Sequence, residues 1–238
     1  MLNLFRFFIF LCVFMIIASC KNESKGKHLF ILSGQSNMSR LDLRLSFIPK
    51  IEEKFGKDNV IFVKLAMGGQ PMSRWDKNWN NLSKNKCNEP GDLYTFLIQK
   101  VKGYSYNMRV ESTTFIWVHG ETDAKEENAD VYKESLLRLY NQFSEDLNRS
   151  DINYVIGRLS DFDLNNEIFP DWTSIRNIQV EVAESNPRFD WVDTDDYNTG
   201  VNRNGKPIED DLHMSVKGYE QMGKALAKKA IQLIEANR

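Results

Sequence analysis

The sequence predicts a three-layer α/β/α domain on a five-stranded parallel sheet. Two patterns predict it: five short apolar runs rich in β-branched and aromatic residues, and amphipathic helical spacings in the intervals between them. Length and composition agree. The chain has 238 residues, 42% hydrophobic and 12% aromatic, with 31 Lys+Arg against 33 Asp+Glu. That is far from the disordered regime, and a domain of this size buries roughly 70% of its unfolded surface without needing a disulfide or metal staple. The near-neutral charge and the lack of a basic stripe exclude an electrostatic nucleic-acid binder.

Residues 1–19 read as a signal peptide. Arg6 is their only charge, and residues 7–19 are uncharged. Such a run is short of the roughly 20 residues a membrane span needs, but it fits a secretory apolar region. Ile17-Ala18-Ser19-Cys20 resembles a bacterial lipobox, which implies lipid, such as palmitate, on Cys20 and an exported lipoprotein anchored at the outer membrane. Residues 20–27 then form the lipidated Cys and a polar tether, and residues 28–238 form the folded domain.

Strands are predicted at residues 28–33, 60–66, 113–118, 154–159 and 189–192. The early ones are nearly continuous apolar runs, as strands buried on both faces of a parallel sheet must be. Helices fill the intervals. Residues 93–101 follow Pro90-Gly91, and residues 131–147 align Tyr132, Leu136, Leu139 and Phe143 on one face. Trp172, Ile175, Ile178 and Val182 form another stripe, and the last helix follows the N-cap candidate Ser215. Residues 39–48, 77–89 and 161–171 read as loops that carry specificity.

Cysteine usage suggests no redox or metal chemistry. With Cys12 in the signal and Cys20 lipidated, Cys87 stands alone in a polar stretch, a bystander without a disulfide partner. No paired His motif, Cys pair or phosphate-cradling glycine loop is present, so neither metal nor cofactor is expected. Asp193-Thr194-Asp195-Asp196 lacks the EF-hand spacing and reads as a solvated loop. His28, beside the tether, reads as a surface residue.

In a parallel α/β sheet the site lies beyond the carboxyl ends of the strands. Gly34-Gln35-Ser36-Asn37-Met38 follows the first strand, Gly68-Gly69-Gln70 the second and His119-Gly120-Glu121-Thr122-Asp123 the third. Asp210-Asp211-Leu212-His213 follows the fifth strand and its loop. Singly, each has a bland reading: Ser36 as a helix N-cap, His213 as a residue leading into a helix, Asp210 and Asp211 as favourable charges at a helix N-terminus. Together they permit nucleophilic acyl transfer. A Ser hydroxyl needs a base, and a His base needs its tautomer held. Asp210 could accept Nδ1–H of His213, leaving Nε2 to face Ser36. A glycine amide after the second strand, the Ser36 amide and a side-chain donor after the third could then hold the oxyanion.

These blocks resemble a known family. Gly34-Gln35-Ser36-Asn37-Met38 is similar to the nucleophile block of the SGNH hydrolases, in the branch of sialate O-acetylesterases and carbohydrate esterase family 6. Trp117-Val118-His119-Gly120-Glu121-Thr122-Asp123 is similar to the W-x-Q-G-E-x-D block of that branch, and Ile175-Arg176-Asn177-Ile178-Gln179 to its I-R-x-x-Q helix. Gly68-Gly69 with Trp75 and Asp210-x-x-His213 match two further blocks, so the resemblance spans residues 29–230. It implies a flavodoxin-like SGNH hydrolase fold, Ser36 as nucleophile, His213 as base and Asp210 as its orienter. It also implies oxyanion donors at Ser36, Gly69 and His119, the last standing where the family has Gln. Glu121 and Asp123 read as structural carboxylates, and Trp75, Trp172 and Tyr197 as either core or sugar-facing aromatics. The implied activity is removal of O-acetyl groups from carbohydrates. The alternatives are a lipase- or thioesterase-like SGNH esterase, or a catalytically weakened glycan-binding lipoprotein. The expected partners are an acetylated glycan and, through Cys20, the membrane.

Overall fold

The computed structural model describes residues 26–237. The signal and lipidation readings of residues 1–19 and Cys20 therefore lie outside the described residues. The chain order opens with β1 (Lys27–Gly34), α1 (Ser36–Arg40), α2 (Phe47–Phe55) and β2 (Val60–Ala66). It continues through α3 (Trp79–Leu82), α4 (Asp92–Tyr104), β3 (Val110–Val118), α5 (Glu121–Lys125) and α6 (Ala129–Leu147). β4 (Asn153–Gly157), α7 (Trp172–Glu184), β5 (Phe189–Val192), the short strands β6 (Gly200–Val201) and β7 (Pro207–Ile208), and α8 (Val216–Ala236) complete it.

Five strands pair in the order β2-β1-β3-β4-β5, all parallel. The expected sheet is thus the observed one. Strand alternation divides its apolar residues between two layers. Leu29 and Ile31 pack with Phe115 and Trp117 under α4, α6 and α7. Phe30 and Leu32 pack with Ile116 and Val118 under α2 and α8. The inner strand β1 is buried throughout except at Lys27, which explains its apolar run.

Two glycines let backbones meet at the carboxyl rim. At Gly34 φ is +141°, and a Cβ would stand 1.9 Å from the Val118 carbonyl oxygen, so only glycine lets β1 turn beside β3 into α1. At Gly218 a Cβ would stand 1.8 Å from the Tyr197 carbonyl oxygen, so this glycine lets α8 start against that loop. Ser215 caps α8 by accepting the Gly218 amide at 3.0 Å, as expected.

The structure adds two elements that the sequence reading did not place and corrects one expectation. Residues 47–55 form a helix despite Pro49, because proline is tolerated in a first turn. The small antiparallel β6–β7 pair was not expected, being only two residues on each strand. His28 is not a surface residue: it is 6% exposed, lies against Phe55 and pairs through Nδ1 with Ser112 Oγ at 2.8 Å.

Candidate active site

The carboxyl ends of β1 and β3 and the segment before α8 bring Ser36 and His213 together. Ser36 is the first residue of α1, and Gln35 rather than Ser36 occupies the cap position. The Nε2 of His213 lies 3.0 Å from Ser36 Oγ, within hydrogen-bond reach across 177 residues of sequence. The imidazole is held below its ordinary pKa, first by burial and then by the Arg40 charge, against an opposing pull from Asp211. It is therefore neutral near pH 7, as a proton acceptor must be.

The carboxylate facing His213 is not the expected one. Asp210 is exposed, stands in a left-handed conformation with φ +45°, and donates its amide to Thr199 Oγ1 at 3.2 Å. No ion-pair contact joins Asp210 to His213 among the described residues. Asp211 Oδ1 instead accepts the His213 amide at 2.8 Å and lies 3.7 Å from Nδ1. The left-handed turn at Asp210 leaves that residue outside and presents its neighbour to the ring. The Asp211–Nδ1 distance is electrostatic rather than a hydrogen bond.

Asn37 ties this pair to the sheet, a role that reading the sequence missed. Its Nδ2 donates to Glu121 Oε1 at 2.8 Å and to the Leu212 carbonyl at 3.1 Å. Its Oδ1 accepts the Tyr219 hydroxyl at 2.9 Å and the Met214 amide at 3.4 Å. One carboxamide thus holds the residues on both sides of His213. Burial raises the pKa of the Glu121 carboxyl, and its Oε2 has no partner among the described residues. The signal was present as a polar Asn beside a nucleophile candidate, but its partners are 84 to 182 residues away.

The glycine turn after β2 closes the other side. A Cβ on Gly68 would stand 3.4 Å from Ser36 Cβ, and Gly69 has φ +69° with nothing near its missing side chain. Gly69 is exposed, and its amide donates to no described residue, which leaves it available to a ligand. His119 does not point into this space. It is 0% exposed, its Nε2 lies 3.0 Å from the Gln70 carbonyl and its Nδ1 3.3 Å from the Tyr132 hydroxyl. Burial pushes its pKa down to about 3, so the ring is neutral with both nitrogens engaged. The expected oxyanion role of His119 is corrected on that geometry: it fastens the carbonyl one residue beyond Gly69.

The remaining motif residues are structural supports. Asp123 accepts the Met72 amide on both oxygens, at 3.1 and 3.0 Å, which fastens the same turn further along. Burial raises the Asp123 pKa to about 8. Gln179 donates to the His119 carbonyl at 2.6 Å and accepts the Leu159 amide at 2.8 Å. Arg176 pairs with Asp195 at 2.8 Å, so the Asp-rich loop is an ion-pair partner of α7. Trp75 and Trp172 are at most 1% exposed and belong to the core, whereas Tyr197 is half-buried. Among the described residues no cluster of three or more His, Cys, Asp or Glu is placed to hold a metal.

Known proteins resemble the chain in family and in fold. The family model described as "Carbohydrate esterase, sialic acid-specific acetylesterase" matches residues 39–232. Among solved structures, a protein from Arabidopsis thaliana aligns with TM-score 0.65 at 16% identity, covering 87% of this chain and 98% of its own. A structure titled a novel carbohydrate acetylesterase from Xanthomonas citri aligns with TM-score 0.61 at 16% identity, covering 87% of this chain and 56% of its own. A lipase from a goat rumen metagenome aligns with TM-score 0.54 at 15% identity, covering 87% of this chain and 97% of its own. At these identities the structures establish a shared fold only. No curated protein matches the chain by sequence.

Proposed function

Because the chain belongs to the carbohydrate esterase family of sialic acid-specific acetylesterases, we propose that it is a serine esterase that removes O-acetyl groups from glycans. The observation that carries this reading is the 3.0 Å approach of His213 Nε2 to Ser36 Oγ at the carboxyl rim of the sheet. In the proposed reaction Ser36 Oγ attacks the acetyl carbon while Nε2 takes its proton. Negative charge develops on the carbonyl oxygen. The amides of Gly69 and Ser36 are the donors proposed for it, Ser36 being at a helix start where amides lack intrahelical partners. The bond from the acetyl carbon to the sugar oxygen then breaks, and His213 returns the proton to that oxygen. Water attacks acetyl-Ser36 with His213 again as base, releasing acetate and restoring Ser36. Asp211 supports the transient imidazolium by charge at 3.7 Å.

The test is acetate release from a panel of acetylated oligosaccharides, with an aryl acetate as a general ester. Ser36→Ala should lower both rates by about three orders of magnitude or more. A wild-type rate in that variant overturns the nucleophile, and turnover of lipid or thioester substrates alone favours the lipase-like reading. We further propose that Cys20 carries lipid and holds the domain at a membrane, supported by Ile17-Ala18-Ser19-Cys20. Labelled fatty acid should enter the native protein but not Cys20→Ser.

A further inference from the structure

At the far end of the short helix that Ser36 begins lies a cavity of about 710 Å³, within the size range of ligand sites. Its wall runs from the end of α1 through residues 41–48 to Lys64 on β2, Arg203 on the β6–β7 hairpin and the first turn of α8. None of the reaction steps above uses it.

Its charges are unbalanced. Four cations and two carboxylates line it, but each carboxylate has a partner of its own. Asp42 binds the Arg44 guanidinium through both oxygens, at 3.0 and 2.8 Å. Glu220 pairs with Lys224 at 2.5 Å. That leaves Arg40, Lys64 and Arg203, none with a carboxylate within ion-pair distance among the described residues. Lys64 Nζ is met only by carbonyl oxygens, Leu41 at 2.6 Å and Ser39 at 3.2 Å, and its partial burial lowers its pKa to about 8. Cations gathered on one concave wall attract anions, and here they outnumber the two carboxylates, Asp42 and Glu220, that line the same wall, although Asp42 also acts on Lys64. Leu45 and Val216, 71% and 51% exposed, add an apolar rim to this wall.

The cavity is coupled to the reacting pair. Arg40 ends the five-residue helix that Ser36 begins, and its charge acts directly on His213. Arg203 stacks over the Tyr219 ring at 5.1 Å, and the Tyr219 hydroxyl bonds Asn37, the residue after Ser36. At about 1.5 Å of rise per residue, Ser36 and Arg40 are separated by roughly 6 Å along α1, about the length of one sugar ring.

We propose that this cavity binds an anionic substituent of the glycan, a carboxylate or a sulfate, through Arg40, Lys64 and Arg203 while the acetyl ester lies at Ser36. The substrate class is then an acetylated acidic polysaccharide. A neutral acetylated glycan would leave the three cations unmatched. This assignment rests on the esterase reading for the position of the ester, but not for the existence of the anion site.

Two measurements test it. The first compares kcat/KM for acetylated oligosaccharides matched in length: one neutral, one carrying uronic acid carboxylates and one carrying sulfate. At least one acidic substrate should exceed the neutral one by about tenfold, the scale of one or two charge-assisted hydrogen bonds. The acidic-to-neutral ratio should fall by about threefold or more in Arg203→Gln and towards one in Arg40→Gln/Arg203→Gln. Which anion gives the larger ratio identifies the group. Equal values for all three substrates, with the aryl acetate turned over, overturn the anion site and leave the esterase intact. A preference that survives the double variant also overturns it.

The second measurement needs no turnover. A non-acetylated oligouronide and its sulfated counterpart are titrated by calorimetry into the wild type and into Arg203→Gln. Binding of either that weakens with added salt and in the variant supports the cavity even if no ester is cleaved. If neither anion binds the wild type, the proposal fails whatever the activity. Arg203 is exposed on the hairpin, and matched thermal unfolding of the two proteins shows that the variant is folded.

Discussion

The side-chain amide of Asn37 donates to the backbone carbonyl of Leu212 at 3.1 Å, so the residue after Ser36 holds the residue before His213. The two halves of the reacting pair come from opposite ends of the chain, and this carboxamide sets their spacing. Asn37→Ala should lower kcat for an aryl acetate by about 10- to 100-fold, since a small misplacement of the base is costly. KM should change little, because Asn37 is buried away from the substrate. The variant also deprives the buried Glu121 carboxyl of its side-chain donor, at a stability loss of about 1–3 kcal/mol. Steady-state kinetics with thermal unfolding checks both, and an unchanged kcat removes Asn37 from the positioning role.

Asp210 and Asp211 should separate by substitution. Asp211→Asn removes the charge 3.7 Å from Nδ1 and should lower kcat by about tenfold or more. Asp210→Asn, at an exposed position, should cost less. The reverse order in a paired kinetic measurement would restore Asp210 as the orienting carboxylate.

The acid side of the pH–rate profile follows from His213. The base works in its neutral form, and both burial and Arg40 hold its pKa below the ordinary 6.5. Activity should therefore persist below that pH and fall only as His213 becomes protonated. Arg40→Gln removes a repulsion, raises the pKa and moves the acid limb to higher pH. Asp211→Asn removes an attraction and moves it to lower pH. Profiles of kcat/KM with an uncharged aryl acetate read these shifts, and shifts of like sign would contradict the electrostatic account.

His119 should behave as a support. His119→Ala strips partners from the Gln70 carbonyl and the Tyr132 hydroxyl and empties a fully buried site stacked on Trp117 at 4.5 Å. A stability loss of about 2–4 kcal/mol is expected. The rate per folded molecule should fall by less than about tenfold, whereas loss of a direct oxyanion donor costs about 10²–10³-fold. His119→Gln can still donate to Gln70 and should recover part of the stability. A loss on the larger scale in the Ala variant would return His119 to the oxyanion hole.

The sequence by itself determined the sheet and the rim. Strands such as Val60–Ala66 and Phe189–Val192 were legible to the residue because they are short runs rich in β-branched and aromatic residues, which suit a half-buried pleated surface. The helices α4, α6, α7 and α8 were legible from apolar residues recurring every three or four positions. Ser36 and His213 stood out because strand ends in a parallel sheet converge on one edge. Spacing alone could not choose between adjacent aspartates, since the choice follows from a left-handed backbone at Asp210, whose amide bonds Thr199 eleven residues earlier. Nor could it show that the ring of His119 turns inward to Gln70 and Tyr132 rather than out over Ser36. The cationic cavity was the least legible feature, because Arg40, Lys64 and Arg203 come from three distant segments. Sequence periodicity reports which face of an element is buried, whereas the field at a point depends on charges brought together through space, and only the tertiary structure decided those distances.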